Sequence, residues 1–234
     1  MKILTIDNKP LSDFNTYYDG SEWFNLPVKA VENISVPGRN GDLTVDGKRF
    51  ENISIPFECY IPKDFRKHYR NLTNYIFSLK GYKRIESDEE PDVFRMGQIK
   101  NEITPKMGQF GKFGSFTITI DFRPQKWLKS GEDEYLVNSS ITLSNPTFFE
   151  AKPLLKVKGT GTIRVNSDTL VLSTNTGTTF IDCEMQEVYE GTINRNSDLT
   201  MTGDNLPVLL PGENDIEYSG GITELIVVPR WWRL

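Results

Sequence analysis

Histidine and cysteine are nearly missing from this chain of 234 residues: His68 is its one imidazole, and Cys59 and Cys183 are its two thiols. Structural zinc takes four Cys or His ligands, and catalytic zinc about three protein ligands rich in His. Such centres lack their parts here. Two thiols cannot build a disulfide framework, and reduced structural cysteines made in a cytoplasm are the simplest account. Any Ser-His or Cys-His catalysis would have to run through His68, which borders an apolar helical stripe and reads as the edge of a helix face. Long apolar runs are missing as well. Met1–Asp7 opens with a four-residue, mostly apolar stretch, far short of a signal-peptide core. No run approaches the ~20 apolar residues of a membrane span. With 27 basic and 32 acidic residues, net −5, no excess of charge points to nucleic acid or an anionic membrane.

What remains has the composition of a globular protein, and it is unevenly charged. The 13 prolines follow no Gly-X-Y period, which excludes a fibrous chain. Up to Glu134 there are 20 basic and 20 acidic residues; beyond it there are 7 and 12, so the whole net charge lies in the second part. Two domains, 1–134 and 135–234, are expected.

Most of the sequence alternates with period two. Ile53, Ile55, Phe57, Cys59 and Ile61 face one way, with Asn52, Ser54, Pro56, Glu58 and Tyr60 between them, and Pro56 suggests a sheet edge. Phe116, Ile118, Ile120 and Phe122 repeat the pattern, as do Ile181, Cys183 and Met185. Both cysteines therefore read as core. Asn40-Gly41 and Asp46-Gly47 are tight-turn dipeptides, and the second predicts a hairpin joining Leu43–Val45 to the Ile53 strand. One segment has helical spacing: Phe65, Tyr69, Leu72, Ile76 and Leu79 form a stripe, with Pro62 in the first turn, Asp64 near the positive end and Gly81 as a left-handed cap. From Tyr135 onward no such stripe occurs, so the second domain should be all β.

No catalytic constellation emerges. Ser87-Asp88-Glu89-Glu90-Pro91-Asp92 is the densest acidic cluster, but it lacks the spacing of a calcium loop and reads as a solvated loop. Gly108, Gly111 and Gly114 precede a strand, where a phosphate loop needs a helix N-terminus; a hairpin loop is expected. Trp23, Trp127, Trp231 and Trp232 could stack on sugars, although large aromatics serve more often as core or interface anchors. A structural or binding protein is expected, with no enzymatic activity, cofactor or metal.

Several segments, in order, resemble the distal tail (Dit) proteins of siphophages. In the first half they are Val36-Pro37-Gly38-Arg39-Asn40-Gly41, Asp46-Gly47 and Phe122-Arg123-Pro124-Gln125-Lys126-Trp127-Leu128. In the second they are Asn145-Pro146, Ala151-Lys152-Pro153, Gly159-Thr160-Gly161, Leu210-Pro211-Gly212-Glu213-Asn214 and Pro229-Arg230-Trp231-Trp232. The resemblance implies an N-terminal β-sandwich with one helix and a hairpin, followed by a galectin-like β-sandwich. It implies a homohexameric ring at the distal end of the virion tail, assembled in the host bacterial cytoplasm. The implied partners are the tail tube protein, the tail-associated protein, and receptor-binding or baseplate proteins. Gly38, Arg39, Asn40, Gly41, Asp46 and Gly47 are the expected oligomer-interface residues, on a Pro37–Asp46 hairpin. The competing reading is a carbohydrate-binding adsorption module, with Trp231 and Trp232 as docking or glycan contacts. Galectin-type lectins bind through a His-Asn-Pro-Arg cluster, and Asn145-Pro146 has neither flanking partner.

Overall fold

A computed structural model of the chain describes residues 2–20 and 22–234. Among the described residues strand accounts for 52% beside one α-helix, so the chain is mainly β, with several antiparallel sheets consistent with β-sandwich construction. It divides into two compact units: residues up to Lys126 together with Leu234, and Trp127–Arg233.

In the first unit the strands are β1 (Leu4–Ile6), β2 (Lys9–Pro10), β3 (Tyr17–Asp19), β4 (Lys29–Ile34), β5 (Leu43–Phe50), β6 (Ile53–Ile61), β7 (Lys83–Ser87), β8 (Val93–Ile99), β9 (Lys106–Met107) and β10 (Gly114–Leu128), with the helix α1 (Phe65–Ser78) after β6. The main sheet runs β2-β1-β7-β8-β10-β6-β3, with β9 also on β10, while β4 and β5 pair only with each other. The alternation predicted for β6 and β10 is present: Ile55, Phe57, Cys59, Ile61, Phe116, Ile118, Ile120 and Phe122 are all buried. Pro56 needs a qualified reading. β3 pairs with β6 only at Glu58, Cys59 and Tyr60, so the strand is internal there and an edge at Pro56.

The helix stripe is also present, with Phe65, Leu72 and Ile76 buried. Tyr69 and Phe65 set their rings against Phe116 of β10, at 5.2 and 6.3 Å between centroids. Its ends differ from expectation. Pro62 lies outside the helix, which starts after Asp64 in a left-handed conformation, and Leu79, in extended backbone, is the cap. Gly81 does hold a left-handed φ of 67°, two residues too late to cap, where the chain turns toward β7.

In the second unit the strands are β11 (Tyr135–Leu136), β12 (Ser140–Asn145), β13 (Leu154–Val165), β14 (Asp168–Leu172), β15 (Thr178–Asp182), β16 (Glu187–Glu190), β17 (Ile193–Asn194), β18 (Leu199–Met201), β19 (Gly212–Val228) and β20 (Trp232–Arg233). The order is β11-β19-β13-β15-β16-β17, with β12 on β19, and β14 between β13 and β18. The long β13–β19 pair carries the core residues Leu155, Val157, Ile163, Val165, Ile216, Leu225 and Val227. The strand expected through Met185 stops at Asp182. There the Asp182 carboxylate accepts the N–H groups of Glu184 and Met185, folding the chain into a turn that leaves Met185 exposed. Cys183 sits in that turn, buried like Cys59, and burial pushes each thiol up to about 12.

Candidate functional site

The β4–β5 ribbon is where the first unit stands apart from its own core. Its register pairs Ile34 with Leu43, Asn33 with Thr44, Glu32 with Val45, and Val31 with Asp46. Directly paired residues share a face. One face therefore presents Ile34, Leu43 and Val45 around Glu32. The other carries Asn33, which accepts the Thr44 hydroxyl at 3.1 Å, and Asp46, which pairs with Lys29 at 2.6 Å. Lys29 and the Lys48 N–H hold the Asp46 carboxyl below its ordinary range. Every residue from Val31 to Arg49 is exposed, including Val31, Ile34, Val36, Leu43 and Val45. An isolated two-stranded ribbon is marginally stable in water, and contiguous exposed apolar surface marks an interaction site.

The sequence-predicted interface residues all fall on this ribbon, in two different roles. Gly38, Arg39, Asn40 and Gly41 form its tip: the Arg39 N–H donates to the Val36 carbonyl, and Gly38 and Gly41 have φ of 80° and 81°. Asp46 and Gly47 do not turn the chain, which corrects the hairpin expected between Leu43–Val45 and the Ile53 strand. They lie inside β5 at an irregularity in its pairing with β4. A Cβ at Gly47 would stand 2.8 Å from the Ala30 carbonyl oxygen, so glycine serves close approach there. The apolar face was missed in the sequence. Its signal, alternation in Glu32-Asn33-Ile34 and Leu43-Thr44-Val45, is too short to stand out without the register.

The other candidates resolve into structural roles. Glu89 accepts the Tyr18 hydroxyl and pairs with Lys2, while Glu90 accepts Trp23 Nε1 and pairs with buried Lys126 at 2.6 Å. The acidic segment is thus a staple between distant parts of the unit, more than a solvated loop. No group of three or more His, Cys, Asp or Glu among the described residues is placed to hold a metal ion. The glycine segment from Gly108 to Gly114 forms the expected hairpin loop between β9 and β10. Trp23 is fully buried. Trp231 is 97% buried in the second unit's core, so its indole has no surface to offer a ligand. Trp232 is half-buried, stacked on Phe149 at 4.4 Å, and donates Nε1–H to the Glu150 carbonyl.

No family model matches the sequence, and no curated protein matches it. Solved structures do. The crystal structure of the SPP1 phage protein Dit, described as a paradigm of the hub adsorption apparatus in phages infecting Gram-positive bacteria, superposes with a TM-score of 0.75 at 14% identity, covering 100% of both chains. The chain has the Dit fold. The phage P2 baseplate in its activated conformation with Ca matches at 0.53 and 12% identity over 97% of each chain. The same phage's baseplate in its activated conformation with Sr matches at 0.52 and 13%, over 100% of this chain and 98% of the other.

On this Dit fold, the second unit's segments that carry the resemblance are tied into its fold by their own hydrogen bonds. Asn145 Nδ2 donates to the carbonyls of Phe149 and Leu209, and the Leu210 N–H donates to Asn214 Oδ1. Ala151 and Leu209 exchange main-chain bonds at 2.9 and 2.8 Å. Arg230, at a φ of 58°, forks onto Asp182 with bonds of 2.7 and 2.9 Å. Burial alone would raise the Asp182 carboxyl, but Arg230 and the Met185 and Glu184 N–H groups outweigh it and hold it below the ordinary carboxylate range. A depressed folded pKa contributes stability that is complete above the unfolded value and lost as pH falls through the folded one. Acid unfolding of the second unit should therefore have a component below about pH 4 that Asp182→Asn removes. Arg230→Ala should lower its stability at pH 7 by about 3 kcal/mol, because it strands a buried carboxylate. Urea titration at pH 7 and pH 3 checks both, and an Arg230→Ala loss under 0.5 kcal/mol would sink the assignment.

Proposed function

We propose that this protein is a structural virion component: a hexameric hub ring at the distal end of a phage tail. It joins the tail tube protein to the tail-associated protein and to the baseplate or tip with its receptor-binding proteins. The observation that carries this reading is the agreement of the whole chain, both units included, with SPP1 Dit. The β4–β5 ribbon supplies the physical means. A closed ring grows from a heterologous contact, in which one patch meets a different patch on the next subunit. The ribbon is an apolar patch that its own unit leaves uncovered. It carries no core residue between Val31 and Arg49, so assembly rather than folding is what it serves.

Deleting residues 38–47 tests this. The tip and the β5 apolar face go, while every residue of the main sheet and of α1 stays in the chain. The expected product melts cooperatively near the parent temperature and runs as a monomer in size-exclusion light scattering. The parent chain gives six-fold rings in negative stain. Hexamers of the deleted chain would remove the ribbon from the interface, and a parent chain that makes no ring would remove the hub assignment.

A further inference from the structure

A second exposed apolar surface lies at the far end of the strand that leads away from the ribbon. β6 begins three residues after the end of β5, and its last residues, Tyr60 and Ile61, line an open cleft of about 470 Å³ together with Pro62, Lys106, Met107 and Phe113. With eight steps of ~3.3 Å along β6, cleft and ribbon base are about 25 Å apart, across the unit. Met107 is 56% and Phe113 51% exposed, and neighbouring Phe110 is 89% exposed. The loop that shapes the cleft is held by its own main chain. The Gly108 N–H donates to the Phe113 carbonyl at 2.9 Å, the Gly111 N–H donates to the Gly108 carbonyl, and β9 pairs with the start of β10.

From these surfaces we infer that the apolar face of one copy's ribbon seats in the β6–β9 cleft of the next copy, with Glu32 meeting Lys106. Glu32 is the one charge among Ile34, Leu43 and Val45 on that face. Lys106 is the one charge lining the cleft. Neither has an ion-pair partner among the described residues, whereas Lys29 and Asp46 on the ribbon's other face pair with each other. Opposite signs inside two apolar surfaces set orientation and register as well as attraction. The same charges disfavour the alternative of two ribbons packing about a two-fold axis, since each Glu32 would then face its own copy. Placing the two surfaces at opposite ends of β6 makes the contact head-to-tail, which a ring requires and a closed dimer does not.

This inference rests on the ring reading above, and charge reversal separates the two. Glu32 and Lys106 are both exposed, so Glu32→Lys and Lys106→Glu should fold and melt as the parent does. Each single reversal brings like charges together and should weaken association at least about tenfold. The double reversal, Glu32→Lys with Lys106→Glu, should restore the rings. Light scattering across a dilution series, with melting curves as the folding control, reads all four proteins. Rings that survive both single reversals, or a double reversal no better than the singles, would overturn the seat while leaving the hub intact. A parent chain without rings would overturn both.

Discussion

Leu72→Asp is expected to give no soluble, cooperatively folded protein. Leu72 is fully buried on α1, between Phe65 and Ile76 in the stripe that packs on the first unit's sheet. Removing the leucine forfeits about 1.5–3 kcal/mol of burial. The carboxylate has no cation among the stripe residues around it, and burying it costs several kcal/mol more. The sum rivals the ~5–15 kcal/mol by which a domain is stable at all. The helix is also what Tyr69 and Tyr75 tie to distant parts of the unit, through hydrogen bonds to the carbonyls of Ile103, between β8 and β9, at 2.7 Å and of Ile6 in β1 at 2.5 Å. Losing its seat therefore loosens both sides of the unit. Expression with soluble-fraction analysis and a melting curve checks this, and a soluble variant with a single sharp transition would refute the packing described.

Gly159→Ala is the second large effect, and it acts on the other unit. Gly159 sits at the irregularity where β13 shifts register against β19, with a φ of 90°. A Cβ there would stand 2.2 Å from the Gly221 carbonyl oxygen, which belongs to main chain and cannot swing away. Backbone strain at such a φ costs about 1–3 kcal/mol, and overpacking adds a comparable amount. The central pair of the second unit would have to part. The second unit's melting transition should fall by roughly 10 °C or more, while the first unit's stays in place. Differential scanning calorimetry reads the two transitions, and an unchanged profile would mean that the bulge is not needed.

The contrast between these sites shows how much could be read in advance. Strands β6 and β10 were legible because each buries one face, and burial writes itself into alternate residues. The α1 stripe was legible for the same reason at helical spacing. Asp46-Gly47 was not legible, because a glycine chosen for close approach to Ala30 looks the same in sequence as one chosen to turn the chain. The acidic segment was misread as solvated because its partners Lys2, Tyr18, Trp23 and Lys126 lie far off in sequence. Trp231 and Trp232 are adjacent and chemically identical, yet one is core and the other a half-buried stacked ring.

The sequence by itself determined what chemistry is open to this protein and which faces of its strands and helix are buried. Both follow from residue type and local period, which need no knowledge of distant partners. Only the tertiary structure decided where an apolar patch is left uncovered. Tip residues Gly38–Gly41 announce a turn, but whether Ile34, Leu43, Val45 and Glu32 share a face depends on the β4–β5 register. Whether that face is left bare depends on every other element declining to cover it. The cleft at Lys106 is set in the same way, by the long-range pairing of β9, β10 and β6. Burial is a local property that a chain can encode one residue at a time, whereas an uncovered patch is a property of the finished packing.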